Sequence, residues 1–357
     1  MKEKRNIFSI LLDDRHRART ISYTMVAVAY IILEVMLKSG NLSSLFTGLL
    51  VPATCYLVAA IGLNLNVGVS GELNLGQAGF MAVGAFSGVC VSGILKGAVP
   101  AVPRLILAII VGMLLTAFVG FLIGIPVLKL QGDYLAIVTL AFGEIIRNVM
   151  NCIYVSVDGR ALNIDFLNPN LPGKLLLNGP NGAVSVGKIA TFTAGFILVL
   201  VALFVVLNLT NSRSGRAIMA IRDARIAAES VGINATKYKM MAFVISAVLA
   251  GMAGALYGLN YSTLVAGKFK FDQSINVLVF VVLGGIGNTL GSVIAAAALT
   301  ILPELLREFS NYRMLVYAIV LILVMLVTNN PTMRAVISKL VPKRRGASAE
   351  GKGGAAA

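Results

Sequence analysis

Apolar runs of about 18 residues or more recur along this chain, each long enough to cross a bilayer as a helix. They leave few folds open. Backbone polar groups in lipid must be satisfied internally, so only helices and closed barrels span a membrane. Long continuous runs, rather than short segments of alternating polarity, mean helices. Composition agrees: 58% of residues are hydrophobic and 13% charged, where a soluble domain carries about a quarter charged. The expected fold is therefore all-α, a polytopic helical membrane bundle.

The candidate spans are Ile21–Leu37, Leu42–Leu65, Leu73–Leu95, Pro103–Leu128, Tyr134–Val155, Lys188–Leu209 and Met240–Tyr261, with Leu315–Val327 closing the set. Between the last two lies Ser274–Leu302, apolar but broken by LGGIGNTLGS (Leu283–Ser292). Charge decides how often that region crosses. The N-terminal tail (Lys2, Lys4, Arg5, Arg15, Arg17, Arg19), the loop from Ser212 to Lys239 and the C-terminal tail (Arg334, Lys339, Lys343, Arg344, Arg345) are all basic. Basic segments stay in the cytosol, so both termini are expected inside. An even total follows, the broken region supplies two segments, and about ten spans with broken helices are expected. The domains read as a cytosolic tail over 1–20, with a small amphipathic helix near Ile7–Leu12, a transmembrane domain over 21–330 and a basic cytosolic tail over 331–357.

The net charge of +15 gathers in the tails and one loop, as membrane orientation requires, so nucleic acid is not an expected partner. Cys55, Cys90 and Cys152 lie in or beside apolar runs, and the one histidine, His16, lies in the tail. No metal-ligand spacing, nucleophile–base pair or phosphate-binding loop is present, so the chain is not read as an enzyme and no metal or cofactor is expected. Glycine pairs four apart (Gly84 and Gly88, Gly120 and Gly124, Gly254 and Gly258) place small residues on one helix face, where backbones can approach closely.

Two features are costly for a membrane chain. The segment NLNVGVSGELNLGQAGF (Asn64–Phe80) packs three asparagines, a glutamine, a glutamate and four glycines between apolar runs. Unwound backbone at membrane depth survives only beside protein or a water-filled cavity, and broken helices often bracket a transport path. An ordinary cytosolic turn accommodates Glu72 but does not need Asn74, Gln77 and Gly79, which run on into the next span. Candidates for lining a path are thus Asn64, Asn66, Gly71, Asn74 and Gln77, with Gly284, Gly285 and Asn288 of the second break. The other feature is Glu144, about 15 Å into its helix, with Arg147 one turn on. Intramembrane charges mark functional sites by default; a structural ion pair is the equal alternative. NGPNG (Asn178–Gly182) reads as a turn.

The loop over 211–239 is long for a connector. Its alanines predict a helix from Gly215 to Val231, ended by Gly232, with Asn234 or Thr236 capping the next span. Small residues flanked by Arg222, Asp223, Arg225 and Glu229 form a closely approachable ledge, suited to docking a partner protein.

The stretch AAESVG (Ala227–Gly232) resembles the cytosolic loop motif of permease subunits in bacterial ABC importers: Glu-Ala-Ala, three residues, then Gly. Ala227, Ala228 and Gly232 match; Ile226 stands where the motif has its glutamate. Most of the chain, about Ile61 to Leu306, resembles the longer, M-type permease subunit of branched-chain amino acid importers. The stretches that carry this are GLNLNVGVSGELNLGQAGFMAVGA, GDYLAIVTLAFGEIIRN, SRSGRAIMAIRDARIAAESVGINATKYKMMAFVISAVLAGMAGALYG and LGGIGNTLGSVIAAAALTILPELL. The resemblance implies a bacterial inner-membrane subunit and a shorter partner permease in a heterodimer. It also implies two cytosolic ATPase subunits that bind ATP and Mg, an external substrate-binding protein, and leucine, isoleucine or valine as cargo. It implies coupling to the ATPases through Arg222, Asp223, Ala227, Ala228, Glu229 and Gly232. Urea and amide importers share this sequence style. The rival from another class is an ion-coupled secondary transporter using Glu144, which would not need the ledge.

Overall fold

The computed structural model describes residues 14–39, 43–130, 132–158, 161–166, 172–184, 186–306 and 312–329. Among them are twelve α-helices, most of them formed by the apolar runs. These are α1 (Asp14–Lys38), α2 (Ser44–Asn64), α3 (Gln77–Ile94), α4 (Ala101–Val127), α5 (Asp133–Cys152), α6 (Phe192–Asn211), α7 (Arg213–Asp223), α8 (Arg225–Ser230), α9 (Ala235–Gly258), α10 (Phe271–Gly284), α11 (Thr289–Leu305) and α12 (Arg313–Asn329). Six are long and apolar enough to cross a membrane: α2 with its continuation to Ser70, α3, α4, α5, α6 and α9. Helices α10 and α11 are apolar but shorter, so a count of about ten spans is not reached on length alone. The expected N-terminal tail is helical from Asp14. The expected amphipathic helix at Ile7–Leu12 and the tail over 331–357 lie outside the described residues.

The chain divides into two units, Met1–Ile301 and Leu302–Ala357. In the second, α12 is an apolar helix with Leu315, Ile319, Ile322 and Leu323 exposed. In the first, α3 and α9 form the centre and are buried on nearly every face. That placement follows from their small residues. A Cβ on Gly84 would collide with the backbone of Gly251, one on Gly254 with the backbone of Met81, and one on Gly88 or Gly258 would press on Ala255 or Ala85. Close backbone approach of this kind is how helices gain contact where lipid offers no hydrophobic drive. Gly120 and Gly124 of α4 seat Ala247 and Met240 of α9 in the same way. The outer faces of α4 and α6 carry Leu114, Phe118 and Phe204, all exposed, as helices meeting acyl chains should.

The all-α expectation missed one element. Five short strands, β1 (Ile153–Asp158), β2 (Ala161–Phe166), β3 (Lys174–Asn178), β4 (Ala183–Val184) and β5 (Thr263–Leu264), form an antiparallel sheet in the order β2-β1-β3-β4-β5. The run expected to be helical to Val155 thus leaves the helix at Cys152. Ile153–Asp158 (IYVSVD) is rich in β-branched and aromatic residues, and it pairs on both sides. Its strand partners satisfy the backbone that the helix gives up. The NGPNG turn is present as a 3-10 turn at Gly179–Asn181, closed by the Asn178 amide donating to the Gly182 carbonyl at 2.8 Å. Helix α6 runs from the sheet to α7, and α9 runs from α8 back to β5, so sheet and ledge occupy opposite ends of the bundle.

Candidate functional site

Helix α2 does not stop at Asn64. It widens into a π-helical turn, Leu65–Ser70, and the chain then turns at Gly71 with φ +74°, a conformation that favours glycine. The amides of Gly71 and Glu72 both donate to the Asn66 carbonyl. Residues 71–76 are unwound, and local groups and a neighbouring helix satisfy several of their amides. Thr139 Oγ1 accepts from the Leu75 amide at 3.0 Å, and Ser274 Oγ accepts from the Ala78 amide at 2.9 Å. Asn74 Oδ1 accepts from the Gly76 amide, and Gln77 Nε2 donates to the Ala59 carbonyl.

The second break lies at Gly285–Asn288, with Gly285 and Gly287 at φ +92° and +84°. The two breaks meet. Asn64 Oδ1 accepts from the Gly287 amide at 3.0 Å, and a Cβ on Gly68 would overlap the Gly287 backbone. Of the predicted path residues, Asn64, Asn66, Asn74 and Gln77 are buried, Gly284 ends α10, and Gly285 and Asn288 belong to the loop that meets Asn64 through Gly287. Several of these polar groups lack partners among the described residues: Asn64 Nδ2, both side-chain atoms of Asn66, Ser70 Oγ, Asn74 Nδ2 and Gln77 Oε1. Each such buried group costs about 1–3 kcal/mol.

Glu144 and Arg147 form the expected pair, Nε to Oε2 at 2.7 Å. The sequence did not show the second role of this carboxylate. Glu144 Oε1 accepts from the Phe271 amide at 3.0 Å, at the first residue of α10. A negative group there satisfies an orphan amide and favours the helix dipole. Glu144 therefore pins the start of the short helix that leads to the second break. Asp133 lies in the first turn of α5, as expected.

The ledge is two helices rather than one. Ala224, at φ −153° and ψ 87°, interrupts the expected Gly215–Val231 helix, leaving α7 and α8. Ser212 Oγ caps α7, Gly232 ends the ledge at φ +84°, and Asn234 Oδ1 caps α9 by accepting from the Lys237 amide. Ala228 faces inward against Ile221 and Ala235 and carries α8 from beneath. Ala227 and Glu229 are exposed, and Glu229 pairs with Arg225 at 3.0 Å. Ile226 and Val231 are 86% and 75% exposed, the most solvent-facing large apolar side chains of the ledge. Arg222, expected only as a rim charge, pairs with Asp223 and also donates through Nη1 to the Gly68 carbonyl at 2.8 Å. Lys239 Nζ lies 2.6 Å from Glu72 Oε1. Burial pushes the Glu72 carboxyl above the usual carboxylate range, against the pull of Lys239. Gly68, Glu72, Lys239, Ile226 and Val231 were not among the candidate site residues read from the sequence. Only Ile226, an apolar residue in a charged stretch, carried a local signal.

A family model described as the permease component of branched-chain amino acid transport systems matches residues 45–325. The high-affinity branched-chain amino acid transport system permease protein LivM of Salmonella typhimurium is 35% identical over 286 residues, covering 76% of this chain and 66% of that protein. LivM of Escherichia coli is 33% identical over 306 residues, with the same coverage. The fructose import permease protein FruG of Bifidobacterium longum is 24% identical over 307 residues, covering 83% of this chain and 85% of that protein. The chain thus spans about two thirds of the length of the LivM relatives. No solved structure matches it.

Proposed function

The chain belongs to the family of branched-chain amino acid transport system permease components, and from that premise we propose that it is one membrane subunit of an ABC importer for leucine, isoleucine or valine. It pairs with a second, shorter permease in the inner membrane, with both termini in the cytosol and about ten membrane segments. Two ATPase subunits bind the α7–α8 ledge and hold ATP and Mg, while a substrate-binding protein delivers cargo on the side of the sheet.

One observation carries this reading: Ile226 and Val231 project into solvent from a short charged helix and its C-cap, and the helix's other face, through Ala228, packs on Ile221 and Ala235. Apolar anchors held on a rigid base and ringed by charges are what a partner protein grips. The names of the LivM relatives support the cargo, and the fructose permease shows that cargo varies within this sequence style. Glu144 argues against the ion-coupled alternative, because both its oxygens are engaged by Arg147 and Phe271. A carboxylate that carries an ion through a cycle must be free to release it.

The test is uptake of radiolabelled leucine into proteoliposomes holding the assembled complex, with binding protein outside, ATPases and ATP facing inward, and no ion gradient. ATP-dependent accumulation is expected. Replacing Ile226 with Asp should reduce copurification of the ATPases about tenfold, the effect of losing one strong interface anchor. Uptake that follows a proton or sodium gradient and ignores ATP refutes the proposal.

A further inference from the structure

The ledge grips the inner break at two points, one on each side of Gly71. Arg222, in the last turn of α7, donates to the Gly68 carbonyl, and its stem packs against Gly71, where a Cβ would overlap it. Lys239, in the first turns of α9, pairs with Glu72 at 2.6 Å. Both ties bridge to the ledge from either side of α8, which bears Ile226 and is followed by Val231 at its C-cap. The chemistry of each contact is local. The helix leaves its hydrogen-bonded course at Gly71, so carbonyls of the last turn have lost their helical partners, and a guanidinium is the donor best matched to one of them. Glu72 is buried, and a buried carboxylate needs a cation.

We infer that Arg222 and Lys239 are positioning residues that carry displacement of the ledge to the inner break, turning the chain at Gly71 and moving Gly68 against Gly287. Three observations converge on this. The two ties flank the one left-handed residue of the segment, the place where backbone torsion can change. Gly68 already touches the second break, so a shift of the π-turn is passed on to Gly285–Asn288. The buried side chains of Asn66 and Ser70, within the turn being pulled, have no hydrogen-bond partners among the described residues in this arrangement. A second arrangement that pairs them stores no penalty there, which is what a two-position element requires. This inference rests on the importer reading above.

The experiment uses the full complex in proteoliposomes. Cys55, Cys90 and Cys152 are first replaced by serine, and Ser70→Cys is introduced as a near-isosteric probe. The reaction rate of that thiol with a small maleimide is measured without nucleotide and with ATP plus vanadate. In this parent complex the rate is expected to change about tenfold with nucleotide, the scale of an ordinary coupling between sites. Arg222→Gln, which also changes a charge of the docking ledge, is expected to abolish the change, so that hydrolysis per leucine transported rises in the complexes that assemble. Glu72→Gln, which cuts only the second tie, is expected to reduce the change, and the charge swap of Glu72→Lys with Lys239→Glu to restore it; these two read out the inference should Arg222→Gln fail to assemble. Undiminished nucleotide dependence in Arg222→Gln, or a charge swap no better than Glu72→Gln alone, overturns the inference. So does a parent complex that transports leucine on ATP with no change at the introduced thiol. A parent chain that captures no ATPase sinks the importer reading itself, and this inference with it.

Discussion

A single carboxylate illustrates how much one residue does here. Glu144 reads in the sequence as an intramembrane charge that is either a site or a strut. Its two oxygens divide between Arg147 and the first amide of α10. These contacts predict an ordered series. Glu144→Ala removes both and should destabilise the protein by about 1–3 kcal/mol, the range for losing a charged hydrogen bond and a helix cap. Glu144→Gln keeps a carbonyl oxygen for the Phe271 amide and should cost less. Thermal unfolding in detergent checks the order, and glutamine as harmful as alanine would contradict the capping role. The pair with Arg147 was legible because both residues lie on one helix. The contact with Phe271, 127 residues away, was not.

At the scale of elements, glycine decides the packing. The pairs at Gly84 and Gly254 were visible as a four-residue spacing, and they bring α3 and α9 into backbone contact. Gly84→Val should therefore displace α9 and cost about 3 kcal/mol or more, beyond the usual range for overpacking because the obstacle is backbone. The expected readout is a fall in folded yield on size-exclusion chromatography. Gly48 is the control. It lies within α2 with nothing near a new Cβ, so Gly48→Ala should be neutral or slightly stabilising through helix propensity. Local chemistry also foretold the caps at Gly232 and Asn234, since each acts within a few residues of itself. The split of the ledge at Ala224 was hidden, because alanine is the best helix former and nothing nearby signals a stop.

For the molecule as a whole, the sheet and the ledge lie at opposite ends of the same helices, so one end can meet a binding protein while the other meets ATPases. The edge strand β2 carries Ile164 and Phe166, both exposed. An exposed apolar edge calls for cover, and under the proposed function that cover is the binding protein. Phe166→Asp should lower stimulation of ATP hydrolysis by cargo-loaded binding protein about tenfold while leaving unstimulated hydrolysis intact. Equal stimulation in both proteins would remove the sheet from the docking surface.

By itself the sequence determined that this is a membrane protein built mainly of helices, roughly where most of them run, and where two breaks interrupt them. Each of those depends on hydrogen bonds and apolar area contained within one segment. Tertiary structure alone decided that the two breaks touch through Asn64 and Gly287, 223 residues apart, that Arg222 reaches Gly68 across 154 residues, and that five short strands pair into a sheet. The reason is that such contacts depend on how helices cross and which strand edges meet. Those are set by the packing of many side chains together, and no short stretch of sequence carries them.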